Sequence, residues 1–341
     1  MAATMRDVAQ AAGVSVKTVS NYFNGYRYMS AATRERVEAA VEQLGYQINV
    51  AARNLRSGRS RMIALVIPEL DHPYYSLLAQ QVIDAADEVG LSVLVETTGG
   101  RRDRELGALS GVHGQVIDGA IYEPIALRPA DRGFLDAAMP LVMIGERVFD
   151  GLADHVLIND VAAARTAMEH LIASGRRRIA VIGTNDAAPP AGAALRRIGC
   201  AEALDAAGIP FDERLMLPVG PWHRAAGAEA IARLIDEGVE FDAVFGFNDA
   251  LALGAQWLLA QRGIRVPEQV AVMGLDDTED GRFAHPTLTT VSPGVRQIAR
   301  TAVELLAARI ADPTAAGGFQ TVLADFDLMA RESTRAAVAG A

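Results

Sequence analysis

Apolar and polar positions change their rhythm along this chain. Near the N-terminus apolar side chains recur every three or four positions in three short stretches, the period of a helix with one buried face. In Met5–Ala12, Val8, Ala9 and Ala12 share a face, Thr4 and Asp7 are spaced as a capping box, and Gly13 is placed to end the helix. Ser15 can cap a second helix, Val16–Phe23, whose apolar side is Val16, Val19 and Phe23 and whose end is marked by Asn24-Gly25. A third begins at Ser30, carries Val37, Val41 and Leu44 on one face, and stops at Gly45. Three short helices, the first two joined by a tight glycine-containing turn, form a trihelical helix-turn-helix pattern.

From Arg61 onward short apolar runs alternate with helical stretches. Met62–Ile67 reads as a buried strand and 75–88 as an amphipathic helix, and 91–95 reads as a second strand. Val116-Ile117, Leu141–Ile144 and Val156-Leu157-Ile158 continue the series. The pattern then restarts: 178–183 followed by a helix over 194–207 parallels 61–90, with further strands at Ala243-Val244-Phe245 and Val270-Ala271-Val272-Met273. Such alternation predicts parallel sheets covered by helices on both faces. Two similar halves of about 130 residues imply two Rossmann-like lobes with a cleft between them.

Composition narrows the chemistry. The chain has 341 residues, 50% apolar and 22% charged, as expected of two or three globular units. No apolar run approaches the ~18–20 residues of a membrane span, and the N-terminus lacks the apolar segment of a secretory signal, so a soluble cytoplasmic protein without membrane contact is expected. Cys200 is the single cysteine, and no Cys/His spacing suits zinc, so neither metal nor cofactor is expected. Lys17 is the only lysine, which argues against a Walker A loop and against a pyridoxal phosphate enzyme. No G-x-S-x-G elbow or strand-linked G-x-G-x-x-G occurs, and a non-enzyme is expected.

Charge is unevenly placed. The net charge is −10, yet residues 1–60 carry +4 and the remaining 281 carry −14. That asymmetry suits a small polyanion-binding module on an acidic body, although a solvated charged face without a partner would leave the same trace. In a helix-turn-helix the start of the second helix meets base edges in the major groove. Lys17 can donate to guanine, Asn21 can pair with adenine, and Val16 can touch a thymine methyl. Ser15, Thr18, Ser20 and Tyr22 can bind phosphates and fix the register. Lys17 could also be an ordinary solvated lysine, but in a chain that otherwise uses arginine 31 times its position favours a base contact.

The segments Arg6-Asp7-Val8-Ala9, Ala12 to Asn21 and Thr33-Arg34-Glu35-Arg36-Val37, followed by Leu44-Gly45-Tyr46, closely resemble the headpiece of the LacI/GalR family of bacterial transcriptional regulators. The resemblance continues through Asp71-His72-Pro73-Tyr74-Tyr75, Phe247-Asn248-Asp249-Ala250, Gly274-Leu275-Asp276-Asp277 and Pro286-Thr287-Leu288-Thr289, nearly the whole chain. It implies an all-α headpiece with a hinge helix, followed by a two-lobed α/β body like the periplasmic binding proteins. The segments would be 1–46 for the headpiece and 47–60 for the hinge. One lobe would span 61–161 plus about 292–322, the other 162–291 plus about 323–341. It also implies a homodimer on double-stranded, palindromic operator DNA, probed by a hinge in which Leu55 wedges into the minor groove beside Ala52, with Arg53 and Arg56 at phosphate or groove edge. Asn21 stands where the family most often has arginine, and Gln47-Ile48 replaces the usual proline before Asn49.

Ligands of open parallel sheets bind at the carboxyl ends of strands. Those ends here carry Asp71, His72, Tyr74 and Tyr75, then Glu123, Asn248-Asp249 and Asp276-Asp277, a set suited to a polar small molecule. By resemblance, Arg196, Asn248 and Asp276 match effector-contacting positions, and Trp222 matches a stacking aromatic. Glu146 follows Gly145 where many relatives carry an aspartate. A sugar or sugar derivative is the expected effector ahead of a nucleoside or purine, since an indole face and carboxylates suit a pyranose. Two readings stay open beside this one: a sugar- or nucleoside-processing cleft enzyme, and a ligand-binding module without regulation.

Overall fold

The computed structural model describes residues 3–23, 26, 28–46, 59–109, 117–135, 139–146, 151–184, 192–312 and 317–335. It divides into two units, Met1–Ser60 and Arg61–Ala341.

In the first unit α1 (Met5–Ala12), α2 (Val16–Phe23) and α3 (Ala31–Leu44) enclose a small core of Val8, Ala9, Ala12, Val19, Val37 and Ala40. The capping box is present: Asp7 Oδ2 accepts from the Thr4 amide at 2.8 Å, and Thr4 Oγ1 accepts from the Asp7 amide at 3.4 Å. Gly13 ends α1 at φ 63°, a left-handed conformation that costs a glycine little and lets the chain reverse into α2. One expectation fails here. Val19 is fully buried and Phe23 packs on the core, but Val16 is 40% exposed and lies outside the apolar side assigned to it. At the first turn of an eight-residue helix it is carried past the edge of so small a core.

The second unit contains two six-stranded sheets. In one, β1 (Met62–Ile67), β2 (Ser92–Thr97), β3 (Gly119–Tyr122), β4 (Leu141–Ile144), β5 (Asp154–Ile158) and β11 (Thr321–Ala324) run parallel in the order β11-β5-β4-β3-β1-β2. In the other, β6 (Ile179–Thr184), β7 (Met216–Pro218), β8 (Ala243–Gly246), β9 (Ala271–Leu275), β10 (Thr289–Ser292) and β12 (Asp327–Met329) follow β12-β10-β9-β8-β6-β7, with only β12 antiparallel. The helices are α4 (Pro73–Glu88), α5 (Arg102–Leu109), α6 (Arg132–Leu135), α7 (Asp160–Ala173), α8 (Gly192–Ala206), α9 (Arg224–Asp236), α10 (Asp249–Gln261), α11 (Glu279–Phe283) and α12 (Val295–Ala311).

β1 shows why the strands read as unbroken apolar runs. Ile63, Leu65 and Ile67 enter a core shared with α4 and α12, while Ala64 and Val66 enter the core on the opposite face. The third strand begins at Gly119, not at Val116-Ile117; Ile117 precedes it and Val116 lies outside the described residues. The chain passes between the sheets at three points. α7 leaves β5 and packs in the second core, α12 leaves β10 and returns to the first, and β12 follows β11 back to the second sheet. No described helix is long and apolar enough to cross a membrane.

Candidate functional site

At the start of α2 the Ser15 hydroxyl accepts from the Thr18 amide at 3.1 Å and so caps the helix, and it lies 2.9 Å from the Thr18 hydroxyl. Ser15, Val16 and Lys17 are exposed in succession, and Thr18, Ser20 and Asn21 are half-buried. Tyr22 is also half-buried: it meets Phe23 edge-on at 5.1 Å, and the Arg34 guanidinium sits over its ring at 5.8 Å. Tyr26 and Tyr28, not among the expected site residues, are exposed between α2 and α3 with their rings 5.7 Å apart. Ala52, Arg53, Leu55 and Arg56, like Asn24-Gly25, lie outside the described residues.

In the second unit, the carboxyl ends of strands from both sheets converge on one polar cluster. α8 supplies Arg196, which is buried. Its Nε donates to Asp160 Oδ1 at 2.6 Å, Nη1 donates to the Phe247 carbonyl, and Nη2 lies 3.5 Å from Glu146 Oε1. Its guanidinium also covers the Trp222 ring, 5.3 Å from the centroid. One indole face, expected to stack on a ligand, is therefore shared with Arg196. Asp160 opens α7 two residues after β5, a strand-end position that the sequence reading passed over although the same rule reaches it.

Asn248 links the sheets. Its Oδ1 accepts from the Leu251 amide at 2.8 Å and caps α10, which fixes the orientation of the amide. Nδ2 then donates to the Trp222 carbonyl at 3.0 Å and to His72 Nε2 at 2.8 Å. An accepting Nε2 assigns the neutral tautomer with its proton on Nδ1. Burial and the neighbouring His223 agree with this, holding His72 down to about 4. A further contact across the cleft joins His223 Nε2 to Glu69 at 3.4 Å.

Glu123 follows β3 and accepts from the Tyr75 hydroxyl at 3.2 Å. Burial, reinforced by Glu146, pushes its carboxyl up to about 8. Burial likewise raises Asp160 against the pull of Arg196, and raises Asp276 well above the carboxylate range with Asp249 adding to it. Asp276 sits at φ 127°, a backbone conformation that side chains rarely adopt, and its amide is held by the Val291 carbonyl at 2.9 Å. Two neighbours are structural. Asp249 accepts from the Thr278 amide at 2.7 Å and the Thr290 hydroxyl at 2.6 Å, and Asp277 is bound by Arg282 and Arg331. Asp71 is exposed and stands outside the buried cluster.

The structure thus brings together His72, Tyr75, Glu123, Glu146, Arg196, Trp222, Asn248 and Asp276, with Asp160 added. Three buried polar atoms of this set, His72 Nδ1, Glu123 Oε2 and Asp160 Oδ2, make no hydrogen bond among the described residues. A buried polar atom without a partner costs about 1–3 kcal/mol, so three in one cleft make it the candidate place to meet further polar groups.

Comparisons with known proteins match residues 4–49 to the profile of bacterial regulatory proteins, lacI family, and residues 168–334 to a periplasmic binding protein-like domain. The chain is 33% identical to the HTH-type transcriptional regulator DegA of Bacillus subtilis (strain 168), over 87% of this chain and 88% of that protein. It is 32% identical to the ribose operon repressor of Escherichia coli (strain K12), over 92% of this chain and 94% of the repressor. Among solved structures, the lac repressor dimer bound to operator and the anti-inducer ONPF superposes with a TM-score of 0.80 at 28% identity, covering 98% of this chain and all of that one.

Proposed function

The chain belongs to the lacI family of bacterial regulatory proteins and is a transcriptional regulator, and from that premise we propose that it acts in the cytoplasm as a homodimeric repressor on a palindromic operator, released or engaged by a small effector in the cleft. One observation carries the reading. A headpiece that exposes Val16 and Lys17 at the start of its second helix shares a chain with a two-sheet body whose cleft holds unpaired buried polar atoms. In the headpiece, Lys17 and Asn21 read bases, and Ser15, Thr18, Ser20 and Tyr22 set the register on phosphates. Leu55, with Ala52, Arg53 and Arg56, supplies the minor-groove contact.

In the body, Arg196, Asn248, Asp276, Glu123 and Glu146 hold a hydroxylated ring against Trp222, with His72 and Tyr75 closing the opposite side. Relatives named for ribose and a solved complex with cellobiose support a sugar or sugar derivative as the ligand. The effector regulates by binding the two lobe arrangements unequally, a coupling of ~1–3 kcal/mol in typical cases.

The test is operator footprinting at several salt concentrations. A steep negative slope of log K against log salt is expected, because neutralised phosphates release counterions. Lys17→Ala should relax base preference at one operator position at a cost of about 1–3 kcal/mol, while Leu55→Ala should weaken binding broadly. A slope near zero, or two variants with unchanged binding, would remove the DNA assignment.

A further inference from the structure

Among the described residues the cleft holds more carboxyl groups than cations to pair with them. Of these described residues, Glu146, Asp160 and Asp276 act electrostatically on one guanidinium, that of Arg196, which also acts on Glu123. Arg196 is committed within the chain to Asp160, to Glu146 and to the Phe247 carbonyl. Three further described arginines are occupied as well: Arg282 and Arg331 bind Asp277, and Arg224 pairs with Asp280. His72 cannot contribute a charge, since its Nε2 accepts from Asn248. His223 is half-buried and faces Glu69.

Within this ring Glu123 and Asp160 are each at least nine-tenths buried, and each aims one oxygen, Oε2 and Oδ2, at no partner among the described residues. Buried carboxylates of this kind are stabilised by an opposite charge supplied with hydrogen-bond donors. Among the described residues no three His, Cys, Asp or Glu side chains converge as metal ligands, which leaves an organic cation as the better fit to this cluster. The aromatic side chains of the cluster, Tyr75 and Trp222, suit the carbon face of a compact organic molecule.

Resting on the reading of this cleft as an effector site, we propose that the effector carries a protonated nitrogen, as in an amino sugar or another aminated polyol, whose charge is received by the unpaired oxygens of Glu123 and Asp160 while a hydroxyl accepts from His72 Nδ1. Asp276 adds to the attraction from the end of β9. A neutral polyol would have to be met by carboxyls that keep their protons. The two ligand classes therefore leave opposite marks: an ammonium drives protons off the cluster on binding, and a neutral sugar does not.

The experiment uses the full-length protein and matched pairs of probes that differ by one amino group: glucose and glucosamine, galactose and galactosamine, pentaerythritol and tris(hydroxymethyl)aminomethane. Affinity is read by calorimetry near pH 7 at constant ionic strength, in buffers of different ionisation enthalpy so that proton release is counted. The expected result is that in at least one pair the aminated member binds at least about tenfold tighter and releases protons. Glu123→Gln, nearly isosteric, should abolish that preference without lowering the melting temperature of the unliganded protein. If that variant does not fold, the proton count on the unmodified chain decides alone. A panel in which no aminated probe outbinds its neutral parent overturns the proposal, as does binding without proton release or a preference that survives Glu123→Gln. A neutral sugar that binds and shifts operator affinity would overturn the charged ligand and leave the effector reading standing. Cleft ligands that bind yet leave operator affinity unchanged would count against the effector reading itself.

Discussion

Glu123 concentrates the cost of the cleft in one side chain. Among the described residues it has one hydrogen bond, from Tyr75, and a buried second oxygen with none, and its carboxyl rises from 4.5 to about 8. A carboxyl whose folded value lies above its unfolded one stabilises the fold fully below the unfolded value and loses that contribution as pH climbs through the folded one. His72 has the opposite sign: depressed from 6.5 to about 4, it stabilises the fold above its unfolded value and loses that contribution as pH falls toward 4. The two effects oppose each other in mildly acidic solution, and above about pH 6.5 only the carboxyls still change. Melting temperature should therefore fall from about pH 6.5 to 8.5, by the equivalent of about 1–2 kcal/mol, and Glu123→Gln should flatten the decline. Thermal melts across that range check it. A flat profile for the unmodified protein would show that Glu123 stays ionised in the fold.

The distance between α7 and α8 decides whether Asp160 and Arg196 can meet. Gly199 sets that distance: a Cβ there would lie 2.2 Å from the Val161 carbonyl oxygen and 2.9 Å from the Arg165 amide, both backbone atoms that cannot swing aside. Gly199→Ala should force the helices apart at a cost of about 1–3 kcal/mol and weaken ligand binding in the cleft, read by melting temperature and calorimetry together. A loss of stability with unchanged binding would show that the ion pair tolerates the displacement. Elements of this kind were unequally legible in the sequence. Strands such as β1 and β4 are buried on both faces and spelled in aliphatic residues, so their runs are unmistakable. β3 starts with Gly119-Ala120, and β10, β11 and β12 are short and mixed with Thr or Asp, so neither period nor apolarity marks them. At the site, the strand-end rule located Glu123, Asn248 and Asp276 and could have located Asp160. The grouping of Glu146, Asp160 and Trp222 around one guanidinium depends on which strand ends the two sheets bring together, and no local pattern encodes that.

The two units divide the charge of the molecule, with +4 before residue 61 and −14 after it. On the proposed reading, the salt dependence of operator binding should report the phosphates that the headpiece neutralises, since each releases counterions. That slope gives a way to tell how the proposed effector would act. If it only changes the fraction of molecules in a binding-competent arrangement, the apparent dissociation constant scales with that fraction while the contacts in the bound state stay the same. Plots of log K against log salt with and without effector should then be parallel lines, displaced by a constant factor. If the effector instead removed phosphate contacts from the complex, the slope would become shallower by about 0.9 for each phosphate released and the lines would converge. Parallel lines are expected on this proposal, because the buried polar atoms of the proposed ligand site belong to the second unit and the proposed base-reading residues to the first. The same coupling must appear in reverse: operator should change effector affinity by the factor that effector changes operator affinity, since linkage between two binding free energies is reciprocal. Calorimetry of effector binding with and without operator duplex measures that factor directly, and unequal factors would mean that the effector also acts at a second place on the molecule.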